Sequence, residues 1–159
     1  MVAPCNSSFC LVTYSFPLAV GNDVDTVTGL LNLENLPNIT STTKFRIYTD
    51  IHHTESSDLI ITLVPPMGSP IVLASLNGAG DGDGSVDIYA GVFWEDDAQL
   101  SVTNDVDSGL TQSPIQPLYP LSSLVGIDPN GEWTLVVQDK VPNLGGALYS
   151  WAIEIDGES

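Results

Sequence analysis

Two tryptophans near the C-terminal end constrain the fold most. Trp133 lies in the run Gly131 to Asp139, where Trp133, Leu135 and Val137 share one face of a period-2 segment. Trp151 lies in a second such run, with Ile153 and Ile155 on the same apolar face, and Gly145 and Gly146 supply a turn before it. A large ring on the apolar face of each of two strands must be buried against another layer. The pair therefore marks a core rather than a catalytic centre.

The rest of the chain reads in the same period. Phe9 to Tyr14 predicts a first short strand and Thr26 to Leu33 a second. Lys44 to His53 alternates most clearly: Phe45, Ile47, Thr49, Ile51 and His53 fall on one face, and Lys44, Arg46, Tyr48, Asp50 and His52 on the other. Asp58 to Val64 follows with Leu59, Ile61 and Leu63 in phase. Pro65-Pro66-Met67-Gly68 breaks it as a turn, and Pro70 to Leu76 returns as a hairpin partner. The Gly-rich stretch Asn77 to Gly84 is a loop. Val86 to Trp94 predicts a strand, Gln99 to Thr103 a short one, and Ser108 to Pro120 a long surface loop. No amphipathic helix of normal length, internal repeat or domain boundary is present. With 159 residues, 43% hydrophobic, the chain is long enough to bury a core as one domain over 1–159. Eight or more short strands separated by turns predict an all-β, two-sheet sandwich.

Twenty acidic residues against three basic ones (Lys44, Arg46, Lys140) give a net charge of −17. Phosphate backbones and anionic membrane surfaces both need neutralising cations, so nucleic acid and membrane partners are excluded. The acidity has two readings: solubility in a secreted or salt-tolerant setting, or carboxylates that bind calcium. Cys5 and Cys10 read as a free pair or a small terminal disulfide loop, since no further Cys or His ligands follow for a metal. Met1-Val2-Ala3-Pro4-Cys5 lacks the charged and apolar regions of a signal peptide, as a fragment of a longer extracellular protein would. Asn6-Ser7-Ser8 and Asn38-Ile39-Thr40 fit the short N-glycosylation pattern.

Four segments then occur in a recognisable order. The first is His53-Thr54, Asp58-Leu59-Ile60-Ile61-Thr62-Leu63 and Pro66-Met67-Gly68-Ser69. The second is Phe93-Trp94-Glu95-Asp96-Asp97-Ala98, and the third is Pro117 to Gly126. The fourth is Gly131-x-Trp133-Thr134-Leu135 to Asp139 with Gly146-x-Leu148-x-Ser150-Trp151. In these the chain resembles the P domain (Homo B domain) that follows the protease domain in subtilisin-like proprotein convertases and many bacterial subtilases. The resemblance covers roughly 44–156, leaving 1–25 as an N-terminal extension and first strand. The chain departs from the pattern at Ser57, where the family usually has Gly, at Leu144, where Asp is common, and at Leu124, where Phe is usual. The resemblance implies a jelly-roll-like β-sandwich and a non-catalytic role, stabilising or regulating an adjacent subtilisin-like serine protease domain.

There is no Gly-x-Ser-x-Gly elbow and no subtilase-type serine, histidine or aspartate motif. His53 is in phase with Phe45, Ile47 and Ile51, which predicts an inward histidine bonded to partners such as Asp58 or Thr54. A general base would need a nucleophile within hydrogen-bond reach. Calcium has two candidate sets. Asp81, Asp83, Ser85 and Asp87 alternate in the Gly-rich loop, although an EF-hand's closing Glu would fall at Val92. Asp58, Asp96, Asp97 and Asp139 each sit at a predicted strand end within a family motif, as ligands or as caps on loop N–H groups. The alternative function is a free-standing, calcium-dependent carbohydrate- or protein-binding module, with Tyr89, Trp94 and Tyr119 as candidate sugar platforms. For an accessory domain, the interface would be an apolar patch on a sandwich face or edge, with positions near Tyr119 and Leu121 as candidates.

Overall fold

The computed structural model describes residues 4–5, 9–20, 25–77, 86–103, 112–141 and 145–156; for 4–5, 9–20, 25 and 156 it describes the backbone alone. Among the described residues eleven strands run in chain order: β1 (Pro4–Cys5), β2 (Phe9–Val20), β3 (Asp25–Leu33), β4 (Lys44–His53), β5 (Leu59–Val64), β6 (Ile71–Ser75), β7 (Val92–Trp94), β8 (Leu100–Ser101), β9 (Ile115–Gln116), β10 (Gly131–Asp139) and β11 (Gly146–Asp156). They form a five-stranded sheet in the order β1-β3-β10-β5-β6 and a six-stranded sheet in the order β2-β11-β4-β7-β9-β8. The fold is the all-β sandwich that the alternation predicts.

Alternation places the core between the sheets. From one inner face come Leu31, Ile61, Leu63, Trp133, Leu135 and Val137, and from the other Ile47, Ile51, Trp94, Trp151 and Ile153, all essentially closed to solvent. The two tryptophans of the opening motif lie on different sheets. Trp133 stacks at a tilt on Phe45, 5.5 Å between centroids, and its indole N–H donates to the Pro129 carbonyl at 2.7 Å. β10 and β11 are thus consecutive in the chain but not neighbours: β10 is central in one sheet, and β11 lies between β2 and β4 in the other. At its start, β11 passes so close to β4 that Gly146 has no room for a Cβ, which would collide with the His52 carbonyl and meet the His53 Cα at 2.7 Å.

β4 has the predicted bounds, and β5 pairs antiparallel with β6 as the predicted hairpin. Three expectations are corrected. Phe9 to Tyr14 is the first half of a strand that runs to Val20. Val86 to Trp94 is not one strand: residues 86–91 form turns, and β7 begins at Val92. The cause is Asp87, at φ 55°, whose Oδ1 accepts the His53 N–H at 2.9 Å while its own N–H donates to the His53 carbonyl at 3.0 Å. Ile88 and Tyr89 are buried because that turn folds onto the core, not because they alternate. The described part of the predicted surface loop is also built in. Ile115 is buried in β9, and the Leu118 and Tyr119 N–H groups donate to the Leu73 and Val72 carbonyls of β6 at 2.8 and 3.2 Å. Leu121–Leu124 then forms a short 3₁₀ turn. Among the described residues, no helix is long and apolar enough to cross a membrane.

Candidate functional site

β4 carries the polar chemistry of the molecule at both of its ends. At its C-terminal end, alternation turns His53 inward, as predicted, and its side chain is fully buried. Its partner is neither Asp58 nor Thr54. Nε2 lies 3.0 Å from Asp139 Oδ2, at the end of β10, and Nδ1 lies 3.0 Å from the Glu55 N–H and 2.8 Å from the Glu55 carbonyl. Thr54 bonds instead to the Gly145 carbonyl. In the neutral tautomer that donates from Nε2 to Asp139, Nδ1 accepts from Glu55 N–H, and both ring nitrogens are used. The second oxygen of Asp139 accepts the Val141 N–H at 3.1 Å. No nitrogen is left to take a proton from a nucleophile, and the pair has no opening to solvent. This histidine and aspartate tie β4 to β10 across the two sheets.

Beside them a 3₁₀ turn at Ser56–Asp58 brings further oxygens inward. Asp58 Oδ2 and Ser56 Oγ are buried without a hydrogen-bond partner among the described residues. Burial pushes the Asp58 carboxyl above its ordinary range; the charges of Glu55 and Asp139 push the same way, and His53 opposes them. On the other face of β4, His52 is half-exposed, with Nε2 2.9 Å from Asp50, Nδ1 3.6 Å from Asp87 and its ring edge-on to Tyr149.

At the N-terminal end of β4 a cavity of about 610 Å³ opens between the Thr40–Arg46 segment, Glu95 to Asp97 and Leu121. Arg46 is clamped there. One terminal nitrogen is 2.9 Å from Glu154, the other 3.7 Å from Glu95, and its Cζ lies 4.1 Å over the Phe93 ring. Asp96 is a cap: its two oxygens accept the N–H groups of Leu121 and Ser122 at 2.7 and 2.8 Å, holding the first turn of Leu121–Leu124.

The four carboxylates proposed as one calcium set are therefore not brought together. Asp58 and Asp139 lie at the His53 end of the ten-residue β4 and Asp96 and Asp97 at the Lys44 end, about 30 Å apart along the strand. Among the described residues no three His, Cys, Asp or Glu side chains are gathered as a metal site. Calcium takes six to eight oxygens, and three of the four oxygens of Asp96 and Asp139 already accept backbone N–H bonds, with the fourth facing His53; the four residues do not fit one site. Of the second set, Asp81 and Asp83 lie outside the described residues, and Asp87 is the turn residue on His53. The side chains of Cys5 and Cys10 are likewise outside the description. Of the candidate sugar platforms, Tyr89 and Trp94 are fully buried against each other, 5.4 Å between centroids, while Tyr119 is 58% exposed. Leu121, named beside Tyr119 as an exposed candidate, is buried. The Asp139–His53 and Asp96–Leu121 contacts are 86 and 25 residues apart in sequence, and no local pattern announces them.

The proprotein convertase P-domain family model matches residues 42–155. No curated protein matches the chain. Among the crystal structures that share its fold are two of one protease. The serine protease of Aeromonas sobria in complex with its chaperone matches at 17% identity and TM-score 0.56, over 95% of this chain and 26% of that one. The same protease alone matches at 15% identity and TM-score 0.54, over 94% and 26%. The present chain thus spans about a quarter of the length of these structural relatives. With a family match over most of its length, on a two-sheet sandwich whose histidine and aspartate are sealed in the core, the chain belongs to the proprotein convertase P-domain family.

Proposed function

We propose that the chain is a non-catalytic accessory domain that stabilises or regulates a subtilisin-like serine protease domain of the same extracellular polypeptide. The observation that carries this reading is the family match over residues 42–155. The sealed His53–Asp139 pair supports it, because both ring nitrogens hold the fold and neither faces a substrate. The likeness to a quarter of a serine protease chain supports it as well. Two measurements test it. Purified chain incubated with casein is expected to leave it intact; cleavage abolished by a serine-directed inhibitor overturns the non-catalytic reading. In the full-length gene product, Trp133→Ala, which empties the core at a cost of about 3–5 kcal/mol, is expected to lower protease activity and thermal stability together. Unchanged activity with the domain unfolded overturns the accessory role.

Calcium enters this proposal as a stabilising ligand of the acidic stretch that carries Asp81, Asp83 and Asp87. A ligand at about a hundred times its dissociation constant adds roughly 2.7 kcal/mol, several degrees at this size. A melt in chelator, then in millimolar calcium or magnesium, is expected to rise with calcium alone. No rise removes the ion from the proposal and leaves the domain reading standing.

A further inference from the structure

The outer faces of the two sheets differ in charge. On the six-stranded sheet, the outward residues of β4 are Lys44, Arg46, Tyr48, Asp50 and His52, and Glu95 and Glu154 pair with Arg46 beside them. On the five-stranded sheet, the register lays out three rows of outward residues: Leu30, Thr134 and Val64; Thr28, Val136, Thr62 and Val72; Thr26, Gln138, Ile60 and Ser75. None is charged. These eleven positions form an uncharged surface of aliphatic and hydroxyl side chains with one amide, Gln138, on a chain with 20 acidic residues. Leu30 is 38% exposed, and Val136, Ile60 and Val64 are partly exposed. Along β10, the next outward positions beyond the rows, Glu132 and Lys140, are charged.

We infer that this face is the docking surface for the protease domain of the same polypeptide, through an uncharged aliphatic patch on that domain. The inference rests on the accessory-domain reading and deepens it by assigning the face. Three observations select this occupant. Interface centres are depleted in charge, because burying an unpaired carboxylate is costly, and this face has none to bury. In the two structural relatives the matched part is 26% of the chain, so most of those polypeptides is other protein within tethered reach. A second copy is disfavoured, since two chains at −17 each repel wherever they meet. Four strands at about 4.8 Å and three rows at about 6.7 Å span roughly 15 Å by 15 Å. That is the centre of an inter-domain contact of about 600–1,500 Å², with neighbouring loops completing it.

Hydroxyl-radical footprinting read by mass spectrometry tests the assignment on the full-length gene product and on this chain alone. Absence of oxidation at Trp133 and Trp151 verifies that the isolated chain is folded. Leu30, Ile60, Val64 and Val136 are expected to oxidise several-fold more slowly in the full-length protein, while Met67, Tyr119 and Val125 do not change. Val136→Glu in the full-length protein is expected to abolish that protection, and Thr40→Glu to leave it. Protection at Met67, Tyr119 and Val125 instead overturns the face but leaves the accessory reading intact. No protection anywhere, or a gene product without a protease domain, overturns both. Protection of the isolated chain that rises with concentration, with a dimeric mass, makes a second copy the occupant and overturns the inference.

Discussion

Removing the Asp139 carboxylate strands the His53 Nε2–H in a place closed to solvent and takes the acceptor from the Val141 N–H, and a buried polar group left unpaired costs about 1–3 kcal/mol. Asp139→Ala is therefore expected to lower the melting temperature by many degrees without creating or abolishing any enzymatic activity of this chain; a near-neutral substitution would show that the His53–Asp139 link does not hold the sheets. Asp58 behaves in the opposite sense. Its raised pKa means that the folded chain keeps this proton to higher pH than the unfolded chain does. The associated stability is fully present below the ordinary Asp range and is lost as pH rises through the raised value. Asp58→Asn, which mimics the protonated form, is expected to raise the melting temperature at neutral pH and to match the parent near pH 3, about a unit below the usual Asp value. Paired melts at the two pH values read this directly, and a destabilised variant at neutral pH refutes it.

Gly146 shows what limits substitution within an element. A methyl group there meets main-chain atoms of His52 and His53, which cannot swing aside as a side chain can. Gly146→Ala is expected to cost at least about 3 kcal/mol, the upper range for overpacking, measurable by urea unfolding. Asp96→Ala removes both acceptors from the Leu121 turn and is expected to cost about 1 kcal/mol, as loss of a helix cap does. Elements were legible in the sequence where one face is buried and the other is not. β4, β5 and β10 each alternate cleanly along their length, so their inward residues follow from period alone. Segments whose shape is set by a remote partner were not. Val86 to Trp94 has strand composition, yet Asp87 bends it by bonding the β4 backbone. Ile115 to Tyr119 has loop composition, yet Ile115–Gln116 pairs with β7 and β8, and the Leu118 and Tyr119 N–H groups bond the edge of β6. The candidate calcium set failed to assemble for a related reason. A strand-end carboxylate is visible in a sequence, but which end of the sandwich it occupies depends on the order of strands in the sheets.

Across the whole molecule, repulsion among 20 carboxylates opposes compaction, and only three cations offset it. Raising salt from about 10 mM to about 150 mM shortens the screening length from about 30 Å to about 8 Å. The melting temperature is expected to rise with sodium chloride over that range, and a flat response would mean that the charges are too well spread to matter. The strand order bears on how such a chain comes to be folded at all. β3 and β5 are both partners of β10, and β2 and β4 are both partners of β11. Among the described strands, those that join each sheet are thus the last two to be made. A nascent chain still short of residue 131 has four strands waiting with open edges, each a template for the wrong neighbour. Ribosome emergence of β10 and β11 is then the event that closes both sheets and covers those edges.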